Sequence, residues 1–309
     1  MRLAPSAEQA DLADAVHSLL NSATTWPGLA SLGVTGLVVP ERWGGLGGTV
    51  ADLVVVAEEL GHHAMPGPVT ESIAAVPVLL AGIGSEEVAG KWLPELAAGR
   101  AVATMAAPPW LPFAVDAETA DLVLFAASGT VRWGVAGAAY PSIDATRRLA
   151  EVSPAGMIAS GADGAIAQAM NVGALVCAAQ LLGAGRALLE KSVAYAGQRT
   201  QFGRPIGSFQ AVQHRLADVA VGLEFARPLL YAAAASAQDL DVSAAKVACG
   251  EAAHRAARAA LQVHGAIGYT QEHGLGRWLT RVRALTLAWG TPSQHRARVM
   301  TELAKEAQP

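Results

Sequence analysis

Cysteine is nearly missing from this chain of 309 residues. Cys177 and Cys249 are the only two, each inside an alanine-rich apolar stretch, so neither a disulfide framework nor a C-x-x-C metal site can be written. Charge is sparse too: 16% of residues are Asp, Glu, Lys or Arg against 52% hydrophobic, a balance that predicts helices with most of their surface buried and a chain that oligomerises. The net charge of -4 and pI near 6.1 give no global attraction for nucleic acid or an anionic membrane, although a local basic patch can still hold an anion. No uninterrupted apolar run reaches the length of a membrane span, and the opening MRLAPSAEQADLADAV has no apolar leader core. These absences predict an untargeted, soluble protein of the reducing cytoplasm.

Helical spacing dominates what is there. Ser6 is placed to cap a first helix carrying Leu12, Val16, Leu19 and Leu20 on one face, and Pro27, Pro40 and clustered glycines then break the pattern into a structured loop. Thr49 precedes VADLVVVAEEL as an N-cap, with Gly61 read as the stop; further helices begin near Pro68 and after Ser85. Residues 1–100 thus read as an N-terminal helical domain. Between 101 and 164, ADLVLFAA, TVRWGV and RRLAEV are short and β-leaning, which predicts a reduced β domain of a few short strands leaning on the helices. Residues 165–309 return to helix, with long segments near 166–198, 209–238 and 243–263 and shorter ones near 274–287 and 292–305: a C-terminal helical bundle, with Pro228 expected to kink its second helix. The fold class is mainly α.

Two loops at the bundle ends are chemically pointed. In QRTQFGRPIGSFQAVQHRL, residues 198–216, Arg199, Gln201, Phe202 and Arg204 precede a helix that Ser208 is placed to cap and that carries Gln210 and Gln213. A pyrophosphate needs positive charge and free backbone donors, which arginine beside a helix start offers, and Phe202 can pack on an adenine ring. In QVHGAIGYTQEHGLGRWL, residues 262–279, Gln262 ends a helix while Gly265 and Gly268 admit close backbone approach. Read alone, both loops are equally served as glycine-terminated helix ends with solvated arginines. Glu251-Ala-Ala-His254 has the Glu-x-x-His spacing of di-iron bundles, but a second such pair is wanting, since Glu59 to His62 is interrupted by Gly61.

YAGQRTQFGRPIGSFQAVQHRLADV resembles the helix-loop-helix signature of the acyl-CoA dehydrogenases, and QVHGAIGYTQEHGLGRWLTRVRALTLAWGT resembles their C-terminal signature. VPERWGGLGG and WLPELAAGR resemble their N-terminal elements in the same order. The resemblance implies an N-terminal helical domain, a middle β domain, here truncated, and a C-terminal four-helix bundle. It further implies FAD held across a subunit boundary, its adenine and pyrophosphate on Arg199, Gln201, Phe202, Gln210, Gln262 and Gly265. Ala266 stands where the family has a second glycine.

Other departures fall where the chemistry happens. Desaturating a CoA thioester needs a carboxylate to take the α-proton. The family's usual seat for that base, just before Gly290-Thr291, holds Trp289, whose indole accepts no proton; the alternative seat, ten residues before Gly183, holds Gly173. Glu272 and Glu251 are weak substitutes, one in a turn and one on a helix surface. The motifs that line the flavin ring and the thioester are not found in VATMAAPPWLPFAVDAETADLVLF. By resemblance the chain is the short, non-catalytic subunit of the α2β2 acyl-CoA dehydrogenases that actinobacteria use on steroid-derived CoA thioesters. A partner chain carries the catalytic glutamate and most of the acyl-CoA contacts, and FAD is shared. A homomeric flavoprotein with a relocated base and a flavin-free scaffold stand as alternatives.

Overall fold

The computed structural model describes residues 4–22, 25–270 and 274–306. Helix α1 (Ala7–Ser22) starts at a reciprocal cap, Ser6 Oγ accepting from the Gln9 amide and Gln9 Oε1 from the Ser6 amide. After the short α2 (Trp26–Ser31) and a run of turns, Thr49 and Asp52 form a full capping box at the head of α3 (Val50–His62). A π-helical turn, Glu71–Ala75, leads into α4 (Val76–Gly82), and Ser85 caps α5 (Glu86–Ala97).

Gly61 does not stop α3 as its composition suggested. The helix continues through it to His62 because Gly61 faces α6 (Asp163–Gln198), where a Cβ would overlap the Gln180 backbone. Gly183 answers from α6, where a Cβ would overlap the Glu58 carbonyl. Each glycine is there for close helix approach. Helix α6 is long and apolar enough to cross a membrane by length and composition, yet 89% of its apolar window is buried, with α3, α4, α7 (Gln210–Ser236), α8 (Asp239–His264) and α9 (Gly276–Leu287) packed around it. α10 (Pro292–Glu306) packs on α8. Helix α7 runs uninterrupted through Pro228.

The segment between α5 and α6 is a five-stranded sheet in the order β1-β3-β4-β5-β2: β1 (Ala103–Ala106), β2 (Ala114–Val115), β3 (Leu122–Ala127), β4 (Thr130–Pro141) and β5 (Arg148–Ser160). Only β1 and β3 pair in parallel. Two strands are longer than the sequence suggested, because β4 and β5 form one bulged hairpin of 12 and 13 residues in which Gly134, Gly137 and Pro154 do not end pairing. The sheet does lean on the helices. Met105, Leu124 and Val131 join the helical core, Ser72 Oγ donates to the Ala103 carbonyl, and the β4–β5 turn is locked to α9 by buried Arg281, which pairs with Asp144 and donates to Thr146 Oγ1 and the Met65 carbonyl.

Candidate functional site

The two residues at the expected base seats are in contact. Trp289 is 1% exposed and the six-membered ring of its indole lies against Gly173, where any Cβ would overlap it. Helix α6 brings Gly173 to this point; the turn between α9 and α10 brings Trp289, held in the left-handed region at φ +57 and followed by Gly290 at φ +91. A bulky residue in that conformation is strained and persists only where its surroundings fix it. Here they do.

His295 donates from Nε2 to the Trp289 carbonyl at 2.9 Å, and its Nδ1 accepts from Ser243 Oγ at 3.0 Å, which in turn accepts from Arg298 Nε at 2.6 Å. Burial pushes the His295 pKa down to about 4, so the ring is neutral and the tautomer consistent with those partners. The Pro108–Trp110 turn closes over the same place: the Trp110 carbonyl accepts from the Gly290 amide at 3.2 Å, and its ring meets His295 edge-on at 5.0 Å and lies under the Arg298 guanidinium. The stretch expected to have lost its flavin-ring motifs therefore packs onto Trp289-Gly290.

Glu71, which sequence reasoning passed over, stands next to the indole. It is buried on the π-turn before α4, and burial raises its pKa against the opposing pulls of Arg147 and the Trp289 side chain. Burial thus favours its protonated form over the carboxylate. The one signal in the sequence was an acidic residue inside the apolar run VTESIAAVPVLL.

The two C-terminal loops share one end of the bundle, where Tyr195 at the end of α6 stacks on His264 at the end of α8 with ring centres 4.4 Å apart. A groove of about 910 Å³ runs between the start of α7 and the end of α8. Gln262, Gly265 and Ala266 line it together with Arg215, Arg255, Arg258 and Asp218, three guanidinium groups against one carboxylate. Gly265 adopts φ +62 and ψ -139, a conformation essentially confined to glycine, with open space where a Cβ would stand. An anionic dinucleotide half fits that lining.

Arg199, Gln201, Phe202 and Gln210 do not line the groove. The first three lie at or on a tiny hairpin, β6 (Thr200–Gln201) and β7 (Arg204–Pro205), within the segment expected as loop; Gln210 is the first residue of α7. Phe202 and Gly203 form its two-residue turn with φ +53 and +76, and the Phe202 ring is 92% exposed. Ser208 does not cap α7: its hydroxyl donates back to the Pro205 carbonyl inside a 3-10 turn, which leaves Phe209 at the cap position without a side-chain bond. Glu251 is exposed and paired with Arg296, as a surface charge should be. Glu272 lies outside the described residues.

Comparison with known proteins gives a consistent picture. The family model for the acyl-CoA dehydrogenase N-terminal domain matches residues 1–100, and that for the acyl-CoA dehydrogenase C-terminal domain matches 160–304. The acyl-CoA dehydrogenase IpdE2 of Mycolicibacterium smegmatis is 35% identical over 274 residues, covering 88% of this chain and 85% of its own. IpdE2 of Mycobacterium tuberculosis is 34% identical, over 88% and 84%. Among solved structures, a chain of the ChsE4-ChsE5 complex from Mycobacterium tuberculosis superposes with a TM-score of 0.86 at 24% identity over the whole of both chains. The Tcur3481-Tcur3483 steroid acyl-CoA dehydrogenase superposes at 0.85 and 22%, over 97% of this chain and 98% of that one; both show the same fold.

Proposed function

This chain belongs to the acyl-CoA dehydrogenase family, and we propose that within it the chain serves as the non-catalytic subunit of a heteromeric, FAD-dependent enzyme that desaturates a steroid-derived CoA thioester. The observation that carries this reading is the Trp289 ring seated on Gly173, which fills both places where a base would reach the thioester's α-carbon. On this reading a second acyl-CoA dehydrogenase chain supplies the glutamate and most acyl-CoA contacts. FAD, when bound, supplies the hydride acceptor.

This chain contributes the adenine and pyrophosphate half of the FAD site. Gln262, Gly265 and Ala266 offer backbone and amide at the groove, with Arg199, Gln201, Phe202 and Gln210 on the neighbouring hairpin and helix start. An exposed phenylalanine kept at positive φ supports a ligand role for the hairpin, since stability alone favours asparagine or glycine there. The two-chain assembly is supported by the ChsE4-ChsE5 likeness and the steroid class by the Tcur3481-Tcur3483 likeness. On this reading the assembly works in the cytoplasm.

Co-expression with an acyl-CoA dehydrogenase chain that retains its glutamate should give a yellow, active complex, while this chain alone is inactive. Activity of the isolated chain would overturn the reading. In the complex, Arg199→Ala should lower flavin content, and Glu71→Gln should leave turnover within about twofold, whereas loss of a true base costs on the order of 10²-fold or more. A collapse of turnover in Glu71→Gln would make Glu71 a relocated base.

A further inference from the structure

We propose that His17, Glu59, His62 and His63 form a binding site for a zinc-class transition-metal dication, separate from the flavin and acyl-CoA chemistry. The four residues come from α1 and from the end of α3 with its following turn, and one ligand atom from each lies within 4.8 Å of all the others. The imidazole centres are 5.2 Å apart for His17 and His62, 4.7 Å for His17 and His63, and 4.8 Å for His62 and His63.

The partners around the cluster hold the ligands as a metal shell would. Glu190 Oε2 meets His62 Nε2 at 2.7 Å, a carboxylate-imidazole pair that leaves Nδ1 as the donor atom, and that Nδ1 is buried with no hydrogen-bond partner. His63 Nδ1 donates to the Glu59 carbonyl at 3.0 Å, which leaves Nε2, now 3.1 Å from Asn21 Oδ1. Arg186 takes Glu59 Oε1 at 2.6 Å, so Oε2 is the oxygen left to face His17 Nδ1 at 2.8 Å. A metal entering between those two takes the place of the proton on His17 Nδ1, the ring binding as neutral imidazole with its remaining proton on Nε2.

Zinc-nitrogen bonds of about 2.0–2.1 Å put tetrahedral ligand atoms about 3.3 Å apart, so the set closes by imidazole rotations and a turn of the Asn21 amide. Three imidazoles and one carboxylate suit zinc, nickel or copper and not magnesium or calcium. Entry is provided by a cavity of about 260 Å³ lined by Asn21, His62, His63, Glu190 and Trp278, and by His17, which is 39% exposed. Occupied, the site clips α1 to α3.

The test uses the full chain with any affinity tag removed, stripped with chelator and titrated with zinc chloride under calorimetry, with metal content measured after dialysis. One zinc per chain is expected, with a raised Tm, no such effect from magnesium, and a tetrahedral d-d spectrum on cobalt substitution. His17→Gln, at the exposed edge of the cluster, and His62→Gln should each weaken zinc by about tenfold or more, with His17→Gln keeping the helical circular dichroism. Absence of stoichiometric zinc, or unchanged affinity in His17→Gln, overturns the proposal, whatever becomes of the subunit assignment.

Discussion

Any side chain at Gly173 must displace the Trp289 ring or the helix that carries it. Gly173→Ala should cost about 1–3 kcal/mol, and trimming the indole in Gly173→Ala/Trp289→Leu should recover part of that, read as a coupling energy in a urea double-mutant cycle. Strict additivity would mean that the two do not touch in solution. His295 sets a pH signature at the same place. Its folded pKa of about 4 lies below the ordinary 6.5, so the unfolded chain binds its proton first. The stability contributed by the neutral ring is complete above about pH 6.5 and is lost as pH falls towards 4, by at most about 3 kcal/mol. Unfolding free energies measured across that window should show the slope, and His295→Gln should flatten it. Trp289 itself was legible from the sequence by counting from Gly265 and Gly268, because both motif ends keep the family spacing. Its lining by Glu71, Trp110 and His295 was not, since those contacts join segments far apart in the chain.

Among the elements, the same substitution should have opposite signs at two glycines. Gly61→Ala forces α3 away from the Gln180 backbone and should cost about 3 kcal/mol, whereas Gly164→Ala, in the first turn of α6 with open space around it, should gain about 0.4–1 kcal/mol. Thermal unfolding of the pair decides it, and similar losses at both would deny the close crossing. Helix starts were readable because Ser6, Thr49 and Ser85 announce themselves by a hydroxyl with its acceptor geometry fixed locally. Gly61 was misread because a stop and a crossing demand the same residue, and only the partner helix distinguishes them. Ser208 failed as a cap for a comparable reason: its hydroxyl found the Pro205 carbonyl inside a turn that local composition does not specify. The hairpin of β4 and β5 exceeds its β-leaning segments because pairing carries weak segments along.

On the scale of the whole molecule, Val221, Phe225 and Leu229 form an exposed stripe along α7, with Phe225 74% exposed. On the heteromeric reading this stripe is buried by the partner dehydrogenase chain. Phe225→Glu should separate the two chains on size-exclusion chromatography while leaving the Tm of the isolated chain unchanged; an intact complex would place the partner elsewhere. The seat shared by Trp289 and Gly173 also bears on ancestry. Because the indole at 289 excludes any side chain at 173, a carboxylate at 173 requires a second change at 289. Glutamate at 173 would strike the indole, and glutamate at 289 would sit beside the buried Glu71 under the Trp110 turn. On the heteromeric reading, selection on this chain therefore runs through its companion, and the two genes would be inherited, expressed and tuned together.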